Sequence, residues 1–195
     1  MRLTEAGTPV RAAGEQTDGD LWQRAADGDE ASFTALFERH AQAVWNHAYR
    51  LTGSWTAAED LTSNTFLIAW RKRREVPLVC ESALPWLYTV AGNLARTENR
   101  GRGRRLRLLR RIPSPPQAAD HADRVAEQLD GEARLREVIA MVRTLPRAQR
   151  QVVELCLLGD VSVADAAALL SVAEVTVRSH LSRARTQLRA LLEEK

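Results

Sequence analysis

Apolar residues in this chain recur every three or four positions over two long stretches, and no alternating strand pattern persists anywhere. The first stretch begins at Leu21. Its clearest run is Phe33, Leu36, Phe37, His40, Val44, Ala48 and Leu51, which predicts a long amphipathic helix ending at Gly53. Ser54 is placed to cap a second helix carrying Ala57, Ala58, Leu61, Thr65, Ile68 and Ala69 to about Arg71, with Glu59 and Asp60 in its first turns. Pro77 breaks the pattern between Lys72 and Glu81, and Ser82 then predicts the cap of a third helix from Ala83 to about Asn99. The second stretch runs through Leu135, Val138, Val142 and Leu145, breaks at Pro146, resumes from Val152 to Gly159, and is followed by two more helices.

Between the two stretches the composition changes. Arg100-Gly-Arg-Gly-Arg-Arg opens the segment and Pro113-Ser-Pro-Pro sits in its middle, which reads as a linker. The expected fold is therefore all-α: two small helical domains, residues 20–100 and 131–195, joined by a flexible basic linker over 101–130. Residues 1–19 are rich in Gly, Thr, Ala and Glu without any period and read as a disordered tail.

Several kinds of chemistry are excluded by spacing. Cys80 and Cys156 lie too far apart to suggest a knuckle or disulfide framework, and both read as reduced thiols. His40, His47, His121 and His180 form no metal-ligand spacing, and His40, falling in the apolar stripe, reads as a core histidine. Glu59 and Asp60 are adjacent on a helix, so they point about 100° apart and make a poor shared ligand pair. No catalytic residue, metal site or cofactor is expected. No run approaches the ~18 apolar residues of a membrane span, and the first twenty residues lack the apolar core of a signal peptide, so a cytoplasmic protein without membrane insertion is expected.

The charge that remains points to nucleic acid. Of 28 basic residues only Lys72 and Lys195 are lysines, and arginine can fork onto phosphates and guanine edges. Near the C-terminus, Ser162 and Asp165 form a capping signature for a short helix bearing Val163, Ala166, Ala167 and Leu170. A Ser171-Val172-Ala173 turn follows. In the next helix Val177, Leu181, Ala184, Leu188 and Leu191 make an inward stripe. Its other side carries Thr176, Arg178, Ser179, Ser182 and Arg183, the combination suited to a recognition helix in a major groove.

The third helix of the first domain carries a second polar stripe, Thr89, Asn93, Arg96 and Arg100, with Trp86 at its margin. An aromatic surface beside positive charge and a loop is what unstacked bases require. From Arg96 to Arg111 eight arginines face the single Glu98, a block that should attract nucleic acid.

Taken together, the motifs resemble a known family. Leu145-Pro146-Arg147-Ala148-Gln149-Arg150-Gln151-Val152-Val153 and Val175-Thr176-Val177-Arg178-Ser179-His180-Leu181-Ser182-Arg183-Ala184-Arg185 in the second half, with Ala58-Glu59-Asp60-Leu61, Thr65-Phe66-Leu67-Ile68-Ala69-Trp70 and Pro85-Trp86-Leu87-Tyr88-Thr89-Val90-Ala91-Gly92-Asn93-Leu94-Ala95 in the first, resemble bacterial RNA polymerase sigma factors of the extracytoplasmic-function (ECF) group of the sigma-70 family. The resemblance implies sigma region 2-like and region 4-like domains. The helix around Asp60, Ser63, Asn64 and Leu67 would dock on core RNA polymerase, while the Lys72–Ser82 loop and the helix after it would engage and help melt the start-proximal promoter element. The second domain would grip the distal element, and the linker would thread towards the template. An anti-sigma factor is a further partner that the resemblance brings with it. The chain departs from the usual pattern at Thr62, Ser63 and Asn64, at Gly92 where relatives carry arginine, at Ser171 where they carry glycine, and at His180 where they carry arginine. The rival reading is a helix-turn-helix activator that binds DNA without joining the polymerase, which residues 135–192 alone would fit equally well.

Overall fold

Helical signals at each boundary show why the chain breaks where it does. The structure, a computed structural model, describes residues 16–109 and 126–193, with side chains for 16–98 and 133–193. Among these residues there are eight helices and no strand. Thr17 caps α1 (Asp18–Ala26) in a reciprocal capping box with Asp20. Asp29 caps α2 (Glu30–Thr52), which ends at Gly53 in the left-handed conformation, φ 65°. Ser54 caps α3 (Trp55–Lys72) by accepting the Ala57 N–H. After the 73–83 loop comes α4 (Leu84–Leu109), which continues past the expected end at Asn99 because its arginines are good helix formers and the two glycines beyond Asn99 do not suffice to stop it. The second half holds α5 (Ala126–Thr144), α6 (Arg147–Cys156), α7 (Val163–Leu170) and α8 (Glu174–Glu193).

The tail expected over 1–19 falls mostly outside the described residues, but Asp18 and Gly19 already belong to α1. The linker expected over 101–130 is helical at both described ends, to Leu109 and from Ala126, and residues 110–125 lie outside the description.

Packing follows the predicted stripes. Leu36, Val44, Ala48 and Leu51 of α2 are buried against Ala58, Leu61, Phe66 and Ala69 of α3 and Leu87, Ala91 and Ala95 of α4. In the second half Val177, Leu181 and Ala184 of α8 are buried against α6 and α7. The two halves also pack on each other, which the linker did not foretell. One continuous core includes Leu21, Leu36, Phe66 and Leu87 together with Val152, Leu155, Val161, Ala166 and Val177, and α5 lies on α2. At that second junction a Cβ on Gly53 would stand 3.1 Å from Ile139 Cδ1 and 3.3 Å from Arg136 Cγ. Gly53→Ala, strained by both its φ and this contact, is expected to cost about 1–2 kcal/mol in denaturant unfolding; an unchanged midpoint would mean that the turn relaxes freely.

Candidate nucleic-acid interface

The helix-turn-helix is assembled by local rules. Ser162 accepts the Asp165 N–H at 3.0 Å and starts α7. α7 stops because Ser171 turns left-handed, φ 54°, so the residue in the position where glycine is usual pays a modest backbone strain. α8 then presents Val177 and Leu181 inward, while Arg178, Ser182 and Arg183 are exposed and Thr176 and Ser179 half-buried. Arg178 is braced by Glu174 at 2.5 Å, an exposed i,i+4 pair that orients the guanidinium more than it stabilises. Arg185, Thr186 and Arg189 continue the exposed basic side, with Arg178 and Arg185 lining a shallow groove between α7 and α8. All five expected distal-element residues thus share one helix face.

On α3, Asp60, Ser63, Asn64 and Leu67 are exposed together, Leu67 with 45% of its surface. Thr62 is not part of that face: it is buried, and its hydroxyl donates back to Ala58 O at 2.7 Å. Phe37 of α2, packed edge-on against Phe66 with centroids 4.8 Å apart yet 43% exposed, adds apolar surface beside α3. The sequence had placed Phe37 in the inward stripe, where spacing alone cannot separate the stripe's centre from its edge.

The start-proximal set is divided. Trp86 is half-buried, edge-on to Trp22 at 5.3 Å. Asn93 is exposed and Thr89 half-buried, its hydroxyl bonded to Pro85 O at 3.1 Å. Arg96 turns instead towards the second half of the molecule, where it pairs with Glu154 of α6 and takes a second bond to Asn93 Oδ1 at 2.6 Å. Arg100 lies on α4, but its side chain, with the arginine block after it, lies outside the described residues. Glu154 stands among Val152, Val153 and Leu155, all buried; burial pushes its carboxyl above the ordinary value, an effect that Arg96 and Arg150 only partly offset. The pair fits because residue 92 is glycine: a Cβ there would lie 3.0 Å from Glu154 Oε2 and 3.4 Å from Arg96 Nη1. A lone acid inside an apolar run was the one sequence signal for this contact.

A second inter-half contact lies alongside. His47, 1% exposed, stacks on Tyr88 with centroids 4.2 Å apart, and its Nδ1 stands 3.5 Å from Leu158 O. Arg50 bonds the same carbonyl at 2.7 Å. Burial, only partly opposed by the Leu158 carbonyl, lowers the His47 pKa to about 4. Its Nε2 is buried without a hydrogen-bond partner.

The 73–83 loop joins these surfaces. Val79 is 60% exposed, and Cys80, on the loop's inner side, reaches Asp165 O of α7 at 3.9 Å. Among the described residues no group of three His, Cys, Asp or Glu side chains is placed to hold a metal ion, and no helix is long and apolar enough to cross a membrane.

Comparison with known proteins gives two separate family matches along the chain. Residues 36–105 match the family model of Sigma-70 region 2, and residues 135–188 match that of Sigma-70, region 4. The chain is 29% identical over 170 residues to the ECF RNA polymerase sigma factor SigL of Mycobacterium tuberculosis, covering 87% of this chain and 94% of that protein. It is similar to CnrH as solved with the cytosolic domain of CnrY, with TM-score 0.61 and 25% identity over 91% of this chain and 98% of that one. It is also similar to the sigma factor RpoE of Bartonella quintana, solved with the anti-sigma factor NepR, with TM-score 0.55 and 26% identity over 83% and 96% of the two chains.

Proposed function

Because this chain belongs to the sigma-70 family, with relatives in its ECF group, we propose that it joins core RNA polymerase, directs it to a two-part promoter and helps open the start-proximal element. Its role is that of a non-enzymatic initiation factor. The observation that carries the finer reading is the face of α8, where Arg178, Ser182 and Arg183 stand exposed over a buried Val177–Leu181–Ala184 stripe. That geometry lets arginines reach base edges and phosphates while the small hydroxyl residues permit close approach. The exposed Asp60, Ser63, Asn64 and Leu67 on α3 supply a separate surface for the polymerase. Trp86, Thr89 and Asn93 with the 73–83 loop supply aromatic and polar groups for separated bases, and Arg96 joins them once it leaves Glu154. An anti-sigma factor is a further partner, on the likeness to RpoE.

Run-off transcription with purified core polymerase on a pool of genomic promoter fragments tests this directly. Discrete transcripts that require the protein and start a fixed distance from a shared two-part sequence support it. If the protein shifts certain duplexes yet gives core no start sites, it is a helix-turn-helix activator instead. Within the proposed reading, Arg183→Ala should weaken distal-element binding by about tenfold or more and lower the salt slope. Equal affinities across a salt titration would remove Arg183 from the interface.

A further inference from the structure

The 73–83 loop contributes little to its own shape. Besides the Glu75 and Val76 N–H bonds to Lys72 O, the Lys72–Glu75 pair, a bond from Arg73 to Trp70 O and the long contact of Cys80 to Asp165 O of α7, its main fixed points come from α1, and they run along the loop in order. Arg73 Nε donates to Ala25 O at 2.8 Å and Arg74 Nε to Ala26 O at 2.9 Å, so the open carbonyl end of α1 takes the loop's first residues. Arg73 also lies flat over the Trp70 ring, 3.4 Å from its centroid. Halfway along, the Trp22 indole N–H donates to Val76 O at 2.9 Å. At the far end Asp18 Oδ2 accepts the Ser82 hydroxyl at 3.0 Å and the Ala83 N–H at 2.8 Å, the latter just before the first turn of α4.

Asp18 has no freedom to drift. Arg39 holds its other oxygen at 2.7 Å and His40 Nε2 lies 2.6 Å from Oδ2, both side chains coming from α2. Burial alone would raise its pKa, but His40, the Ala83 N–H and Arg39 together hold the carboxyl well below its ordinary value. A buried carboxylate with four donors is a stiff joint. The outcome is a loop with two alternating rows: Val76, Leu78 and Cys80 are half-buried, while Pro77, Val79 and Glu81 are exposed. A slip of one residue in the extended segment would exchange the rows.

We propose that α1 is the frame that fixes the outward row of the 73–83 loop for reading promoter bases, with Asp18 as its positioning residue. This rests on the reading of the loop as a contact to the start-proximal element, and it deepens that reading by assigning specificity to residues that touch no DNA.

The test uses the full chain in two settings. Asp18→Asn removes the charge that holds the four donors, and Ser82→Ala removes one half-buried hydroxyl, which also accepts the Leu84 N–H at 3.2 Å; Ser82→Thr restores the hydroxyl. In the free protein, amide exchange over residues 76–83 should accelerate about fivefold in Ser82→Ala and more in Asp18→Asn, return in Ser82→Thr, and stay unchanged in α8. In holoenzyme, the preference for the best over single-base variants of the start-proximal element should fall by a similar factor, while preference at the distal element is kept. Faster exchange without loss of discrimination, or no change in exchange, overturns the positioning role. A wild-type protein that supports no initiation while exchange responds as expected instead removes the promoter reading and leaves the frame.

Discussion

Gly92→Leu should part the two halves of the molecule. The site between α4 and α6 is tight, since even a Cβ would meet Glu154 Oε2 at 3.0 Å and Arg96 Nη1 at 3.4 Å. Three further carbons must either expel the carboxylate or push α6 away. Expelling it leaves Glu154 and Arg96, whose side chains are only 10% and 11% exposed, without each other. Breaking a buried pair in this way costs about 3–5 kcal/mol, more than the interface gains from any single apolar contact. Opening instead lets both groups regain water, at the cost of the apolar contacts that the two halves share through Leu155, Val161 and Ala166. Calorimetry should therefore show two transitions where the wild type is expected to show one, and small-angle scattering should show a larger radius of gyration. Glu154→Ala, which cuts away instead of wedging, should give the same separation. If both variants keep one transition and the same radius, the apolar contacts of Leu155, Val161 and Ala166 hold the halves together without the pair.

Stability should also fall steeply in mild acid, through His47. Its pKa is lowered from 6.5 to about 4 in the folded chain. The unfolded chain therefore binds a proton that the folded chain refuses between those values, so the contribution is complete above pH 6.5 and is lost as pH falls towards 4. The loss is about 2 kcal/mol at pH 5 and about 3 kcal/mol by pH 4, or about 6–12 °C in Tm for a chain of this size. His47→Phe keeps a ring against Tyr88, and Arg50 still satisfies Leu158 O, so this variant should lose most of that slope. Glu154, with its raised pKa, contributes a slope of opposite sign, and Asp18 loses its share only below its ordinary value of 3.8. The difference between wild-type and His47→Phe curves isolates the imidazole. Parallel curves would show that His47 finds water on protonation without disturbing the packing.

Local patterns made much of this molecule legible. Ser54 and Ser162 cap the helices they were expected to cap, and Val177, Leu181 and Ala184 are buried as their spacing required. The turn at Ser171 adopts the left-handed backbone that explains why glycine is usual there. Even α1 had a signal, the Thr17 and Asp20 of a capping box, which the tail's composition obscured.

What could not be read lies between distant residues. Arg96 and Glu154 are separated by 58 positions, and Trp22 and Val76 by 54. Helical period says which side of α4 is polar, but not that part of that side meets another helix instead of solvent. His40 was expected in the core and is there, yet its partner Asp18 sits in a stretch without periodicity, so only the folded chain brings the joint together. Within the expected DNA face, a polar residue beside a glycine in a tight crevice is a stronger sign of packing than of exposure.

The clasp formed by Gly92, Arg96 and Glu154 can be expressed as a population. A bias of about 2.7 kcal/mol towards the clasped arrangement leaves about one molecule in a hundred unclasped, and whatever must reach Arg96 then binds about a hundredfold more weakly than to an unclasped chain. A partner that grips the unclasped arrangement anywhere, even on the far side of α3 or α8, would recover that factor without touching the arginine at all.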